Sequence, residues 1–489
     1  MARNGGVGRM LSSFFHTWDI IQVELKGEYS PARVLALHEY KSTPWWRIVA
    51  VIVFTPLPCL IYICLPEAVD LNPASQGMAR NKTFFGRFFL SYTMWCLLQT
   101  HMISERMPLL SLSKTQLVVS AVVVAALSTG VELLYAWWIG FPVPYTIHMM
   151  AVPYVSLMFI SLAIVWYPHG RRNWGLLWKI ADAILICVCH GLVIIGYPLF
   201  YFVFIKMDAG IERTAFTFML PVLRLMYRVL FYYLCRSASG ERITIVVVFN
   251  ADLVNALFVN FCMQYQPSLT TTAGLMLANV VQRYSFDTTK TGDAGPMLSD
   301  ITNALKPRQE NKIAPATMND DFTAQSHNIV APNKVVETRP ELEQLERKYT
   351  RLVRKLMFAS EFSILTAFME VITPIVYSLY LAIIFHMPNR NYYTQLASMS
   401  SAHLTNTVLN VLLYSLVEFT SFIVLSQTLK RRLNFSTLHQ LAFVLDRQMI
   451  HVQTAIILWV FYTTQISLDH YGTDYTFEFA WLQHHSTTV

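Results

Sequence analysis

Windows of about 20 predominantly apolar residues recur along this chain, each long enough to cross the hydrocarbon core of a bilayer. That recurrence fixes the expected fold class: an all-α membrane protein, a polytopic bundle of transmembrane helices. Composition agrees. The chain is 54% hydrophobic and 14% charged, whereas soluble chains carry roughly 25% charged residues. The formal net charge of +7 does not point to nucleic acid, because the basic residues cluster beside apolar segments.

Eleven segments qualify as spans: Arg47–Leu65, Phe84–Ile103, Thr115–Ile139, Tyr145–Tyr167, Ile180–Ile205, Thr214–Leu234, Ile243–Gln264, Ser268–Gln282, Ser360–Phe385, Leu404–Ser426 and Met449–Ser467. Nine is the alternative count, because Ile211–Gln282 mixes apolar stretches with Arg213, Arg224, Arg228, Asn250, Asp252, Asn255 and Asn260. Five regions follow: residues 1–46 with an interfacial helix near Met10–Val23, a first membrane region 47–282, a polar loop 283–358, a second membrane region 359–468, and an acidic aromatic tail 469–489. Pro56 and Pro58 predict a kink in the first span. The heptad-like Leu342, Leu345, Tyr349, Leu352 and Leu356 predict a basic amphipathic helix closing the loop, started by Pro340. Its residues 347–355 can touch anionic lipid headgroups.

Basic residues predict the sidedness. With the N-terminus cytoplasmic and all eleven segments crossing, the short loops holding Arg171, Arg172 and Lys179, and Lys430, Arg431 and Arg432, both fall inside, as the positive-inside rule expects. The tail then lies on the non-cytoplasmic side. Asn81-Lys-Thr83 reads as a glycosylation acceptor on the outer face.

Ionisable residues inside spans mark functional or structural pairings. Ser363, Thr366, Glu370, Thr373, Tyr377 and Tyr380 share one helix face, and Asn406, Asn410, Tyr414, Glu418 and Ser421 share another. Two such faces make a seam holding two carboxylates, so the candidate pathway is Glu370, Glu418, Thr366, Tyr377, Asn410 and Tyr414. Interhelical hydrogen bonding accounts for the same stripes equally well. Arg224 and Arg228 share a face and need counter-charges; Asp252 is nearest in sequence, with Glu132 and Asp182 as others, and a structural ion pair is favoured over an anion site. His148 and His190 read as packed, hydrogen-bonded residues, and Gly196 with Pro198 as a place where the fifth span can break.

Seven cysteines, Cys59, Cys64, Cys96, Cys187, Cys189, Cys235 and Cys262, lie in or beside spans and form no disulfide framework. No metal, cofactor or nucleic acid is expected, and no catalytic motif is present. The block Phe249–Gln264, FNADLVNALFVNFCMQ, with Pro267-Ser-Leu-Thr-Thr-Thr272 after it, resembles a segment of uncharacterised oomycete-type multi-pass membrane proteins. That resemblance implies a membrane bundle and no particular activity. Two functions are therefore expected to compete: a transporter or channel for a small solute, and a membrane scaffold or sensor that binds a protein partner through the 283–358 loop.

Overall fold

A computed structural model describes residues 22–106, 112–170, 174–207, 212, 215–216, 219–265, 338–433 and 436–473. The expected Met10–Val23 helix falls almost wholly outside these residues. The Ser268–Gln282 span, the loop up to residue 337 and the tail from 474 lie outside them entirely.

The described residues are helical throughout, with one isolated bridge between Tyr393 and Leu468. The order is α1 (Pro31–Tyr40), α2 (Trp45–Phe54), α3 (Leu57–Cys64), α4 (Lys82–Arg106), α5 (Lys114–Trp138), α6 (Thr146–Gly170), α7 (Trp174–Lys206) and α8 (Met219–Ser239). Then come α9 (Ile243–Val247), a π-helical turn (Val248–Asp252), α10 (Leu253–Tyr265), α11 (Thr338–Ile384), α12 (Ser401–Leu433), α13 (Thr437–Arg447) and α14 (Met449–Gln465).

Local chemistry sets several boundaries. Ser30 accepts from Arg33 N ahead of Pro31, and Ser113 and Gln116 form a reciprocal capping box on α5, each satisfying donors that a helix start leaves open. The interruption expected at Pro56 and Pro58 is two residues long, Thr55-Pro56, between α2 and α3, and the two helices still run on as one span. By contrast, α7 runs unbroken through Gly196 and Pro198. Pro198 has no N–H for the Ile194 carbonyl, and Tyr462 Oη donates to that carbonyl at 2.9 Å with His148 Nε2 at 3.2 Å. Outside partners take over the missing bond, so the helix has no reason to break. The basic amphipathic segment and the Ser360–Phe385 span fuse into one 47-residue helix that starts three residues earlier than Glu341. A regional boundary at 358 therefore falls inside continuous helix.

Among the described residues, seven helices are long and apolar enough to cross a membrane: Trp45–Ala68, Lys114–Trp138, Thr146–Trp166, Ala183–Phe204, Gly240–Gln264, Arg347–Ile384 and Ser401–Arg431. The pair α13 and α14, bent by 82°, makes an eighth if counted as one span. The expected count of eleven, or nine, is not confirmed by these residues, and one expected span, Ser268–Gln282, lies outside them. The Phe84–Ile103 segment is helical, with Arg87 inside it and Lys82, Glu105 and Arg106 beside it, and the Thr214–Leu234 segment lies on α8, which carries Arg224, Arg228 and Arg236. The seven apolar helices suit a multi-pass membrane protein. Trp46, Trp137 and Trp138, at helix ends, are more than 70% exposed, as interfacial aromatic residues are.

One helix is unlike the others. Every residue of the apolar window in Gly240–Gln264 is buried, against 28% in Trp45–Ala68 and 22% in Ser401–Arg431. The line of α9, the π turn and α10 is thus the axis around which α8, α11, α12 and α14 are wrapped.

Candidate functional site: a buried charge cluster on the central helix

Asp252 stands at the middle of Gly240–Gln264, about 18 Å from either end at 1.5 Å per residue. It closes the π turn, a local widening frequently found at functional sites. Its Oδ1 accepts from Arg224 Nε at 2.9 Å and from Arg228 Nε at 2.5 Å. Its Oδ2 accepts from Arg228 Nη2 at 2.8 Å and from the Thr366 hydroxyl at 2.7 Å. Arg224 Nη1 reaches Glu370 Oε1 at 2.7 Å. Arg228 Nη2 also donates to Thr366 at 3.1 Å, and its guanidinium lies over the Phe362 ring. From α12, Tyr414 and Glu418 lie close enough to Arg224 to interact with it electrostatically. Every one of these charged groups is at most 5% exposed.

The helical spacing that set Arg224 and Arg228 on one face of α8 lets one carboxylate serve both. Glu370 and Thr366, one turn apart on α11, meet the same cluster. Among the described residues, Arg224 and Arg228 meet Asp252, Glu370 and Glu418 here. Removing a partner from such a cluster costs about 3–5 kcal/mol, because a buried charge is left uncompensated.

Other expected residues sit elsewhere. Glu132 is fully buried but meets Thr146 Oγ1 at 3.2 Å, so it is not a counter-charge to the arginines. The side chain of Asp182 is outside the described residues. On α12 the buried face is Thr407, Val411, Tyr414 and Glu418, while Asn406 is exposed and Asn410 half-buried. The seam on this helix is rotated by one position, and Asn410 stands at its edge rather than in it. Tyr377 Oη donates to Gln264 Oε1. Asn81 is buried: its Nδ2 donates to the carbonyls of Gly77 and Pro73, and its Oδ1 meets His470. In the fold that amide braces the 72–81 loop, a burial at odds with carrying a glycan. His190 and Trp459 both reach Asn250 Oδ1 at 2.8 Å, which makes His190 the packed histidine expected.

Beyond the cluster, toward Gln264, six side-chain polar atoms are buried without a hydrogen-bond partner: Asn255 Oδ1, Asn260 Oδ1 and Nδ2, Gln264 Nε2, Thr373 Oγ1 and Thr407 Oγ1. Each such atom costs about 1–3 kcal/mol when sealed from water.

Two further networks were not visible in the spacing. Glu67, fully buried, pairs with Arg87 and accepts from Tyr393 Oη at 2.7 Å and Asn389 Nδ2 at 3.2 Å. Near the N-terminal segment, Arg33 Nη2 donates to both oxygens of Glu361 at 2.9 and 2.8 Å, and Tyr29 donates to the same carboxylate. Burial, and then the Glu361 charge, push the Tyr29 phenol well above its usual range. Arg351 and Arg354 of the basic segment pair with Glu28, while Lys348 and Lys355 are exposed. Among the described residues, no group of His, Cys, Asp and Glu is arranged to hold a metal.

A cavity of about 400 Å³ lies between α4, α6, α7 and α14, with His190, Gln99 and Tyr154 among otherwise apolar walls. A wider groove of about 860 Å³ beside α2, α11 and α12 is lined almost wholly by apolar side chains. Neither contains a residue of the charge cluster. No protein-family model, curated protein or solved structure matches this chain.

Proposed function

We propose that this multi-pass membrane protein moves a small solute together with a proton along the seam between α11 and α12, with Glu370 and Glu418 as the working carboxyl groups. The observation that carries the reading is the meeting of three carboxyl groups around Arg224 at mid-helix depth, one each from the central helix, α11 and α12. Like charges sharing a site cannot all ionise freely, so the titration belongs to the cluster rather than to one residue.

The parts then take distinct roles. Asp252, bonded by both arginines and Thr366, remains the fixed anion. Glu370 shares Arg224 with Asp252, and Glu418 approaches the same arginine from α12. Gain or loss of a proton at the Glu370/Glu418 pair alters the pull on Arg224, which is the link between protonation and helix position. A purely structural ion cluster offers little in its place, since replacing buried pairs with apolar residues is often neutral or stabilising. In this reading the N-terminus is cytoplasmic and the exposed Lys348 and Lys355 meet anionic headgroups.

The test is flux in vesicles reconstituted with the full chain. Wild-type protein should dissipate an imposed pH gradient in the presence of its solute, and Glu370→Gln with Glu418→Gln should abolish that flux while the protein stays folded. Undiminished flux in the folded double variant removes the seam from the mechanism. Deleting Thr288–Val335 tests the scaffold reading of the loop: flux survives the deletion if the seam does the work.

A further inference from the structure

We infer that a file of water molecules fills the space between α10, α11 and α12 from the charge cluster to Gln264, forming a wet half-channel on one side of Asp252. Its role as an access route rests on the seam proposed above; its hydration stands on geometry alone.

The three helices are locked in register at both ends of this stretch. At the cluster end, Thr366 of α11 donates to Asp252. At the far end, Tyr377 of α11 donates to Gln264. The central helix and α11 therefore run parallel, and Asn260 lies at the level of Thr373. Thr366, Thr373 and Tyr377 share one face of α11, so Thr373 sits between two residues that both bond the central helix.

Helix α12 runs the other way. His403 Nε2 approaches the Gln264 carbonyl at 3.4 Å, Ser415 Oγ donates to the Val371 carbonyl at 3.0 Å, and Glu418 reaches the neighbourhood of Arg224. Thr407 shares a face with His403, Tyr414 and Glu418 and falls within the same stretch. Three helices thus bring Asn260, Gln264, Thr373 and Thr407 to one column.

None of these side chains is more than 5% exposed, and Asn260 and Thr407 are wholly buried. Yet five of their polar atoms have no partner in the protein. Asn260 has neither a donor for its oxygen nor an acceptor for its nitrogen. Buried water supplies such needs, each molecule making about three bonds to otherwise unsatisfied groups, so five atoms call for at least about two waters. Threonine and asparagine can both give and accept, which lets a file of water reorient and pass protons toward Glu370 and Glu418.

The experiment is X-ray radiolysis of bound water in the full chain held in lipid nanodiscs, read by mass spectrometry. Tyr377 and Tyr414 flank the column; Tyr227 is equally buried but lies away from it, its hydroxyl donating to the Leu192 carbonyl on α7. In wild-type protein Tyr377 and Tyr414 should oxidise at least about fivefold faster than Tyr227, because bound water generates the radical in place. A variant carrying Asn260→Leu, Thr373→Val and Thr407→Val should bring both down to the rate of Tyr227. Rates no faster than Tyr227 in wild-type protein overturn the inference, and that comparison does not depend on the variant folding. Unchanged rates in a folded variant overturn it too. Failure here leaves the Glu→Gln flux experiment free to succeed, and failure of that experiment leaves the water column standing without a transport role.

Discussion

The central helix and α5 are almost equally apolar and live in opposite surroundings. Mean hydropathy is 1.9 for the span Gly240–Gln264 and 2.2 for Lys114–Trp138, but the first is 100% buried in protein and the second 33%. Polar side chains make the difference. On α5 they keep to one stripe, with Ser120, Ser128 and Glu132 buried among Ala121, Val124, Ala125 and Ala136. Its other face presents Val119, Val123, Leu127 and Leu134 outward. The central helix carries Asn250, Asp252, Asn255, Asn260 and Gln264 around its circumference, so no face is left that lipid can cover cheaply. Hydropathy says that both helices belong in a membrane; the angular spread of polar groups says which one must be surrounded by protein.

The largest expected contrast is between carboxylates. Asp252→Ala strands two guanidiniums at mid-depth and should cost about 3–5 kcal/mol, read as loss of monodisperse protein in detergent and a lowered unfolding temperature. Glu132→Gln on α5 removes a group held only by Thr146 and should cost far less. Equal losses would break the comparison.

Apolar truncations extend it. Leu257→Ala on the central helix should cost about 2–5 kcal/mol, whereas Leu134→Ala, at a position 62% exposed, should stay within about 0.5 kcal/mol. Thermal unfolding of the two variants in one lipid measures both. A smaller effect sharpens the account of the unbroken α7. Tyr462→Phe removes a donor from the Ile194 carbonyl and should cost about 1 kcal/mol. In a Pro198→Ala background that cost should shrink, because the helix then supplies its own N–H; a double-mutant cycle with no coupling would contradict it.

The smallest effect lies outside the membrane. Tyr40 donates to Asp446 at 3.2 Å. Burial, and then the Asp446 charge, push its phenol up to about 12 from a tyrosine's ordinary 10.0. A raised value means that the neutral phenol is favoured by folding. The contribution is complete below pH 10 and is lost as pH rises through 12. Tyr40 is partly exposed, so solvent screens the effect and the change should be slight; Tyr40→Phe should abolish that part of the alkaline loss of stability.

Most of the bundle could be read from apolar run length; Phe84–Ile103 falls short through Arg87, Gln99 and His101 together, and α8 through its three arginines. The pairing of Arg224 and Arg228 with Asp252 was legible because a helical repeat puts both arginines on one face and an acid follows nearby. The Arg224–Glu370 contact was not, since spacing within one helix says nothing about which distant helix it will meet. Asn410 shows the tolerance of stripe reading: spacings of three and four fit two neighbouring faces of α12, and packing selected the one with Thr407. Glu67 was invisible because it follows the first span in a 3-10 turn, where a charge reads as solvated.

The central claim is that a carboxyl group of the cluster on the central helix takes up and releases a proton. Infrared difference spectroscopy of the full chain in nanodiscs, titrated with pH in H₂O and D₂O, tests it directly. The account predicts a protonated-carboxyl band in wild-type protein that fades as pH rises and is lost in Glu370→Gln with Glu418→Gln. A band that survives in that folded double variant, or carboxylates that remain fully ionised at every pH at which the wild-type protein is folded, would contradict it.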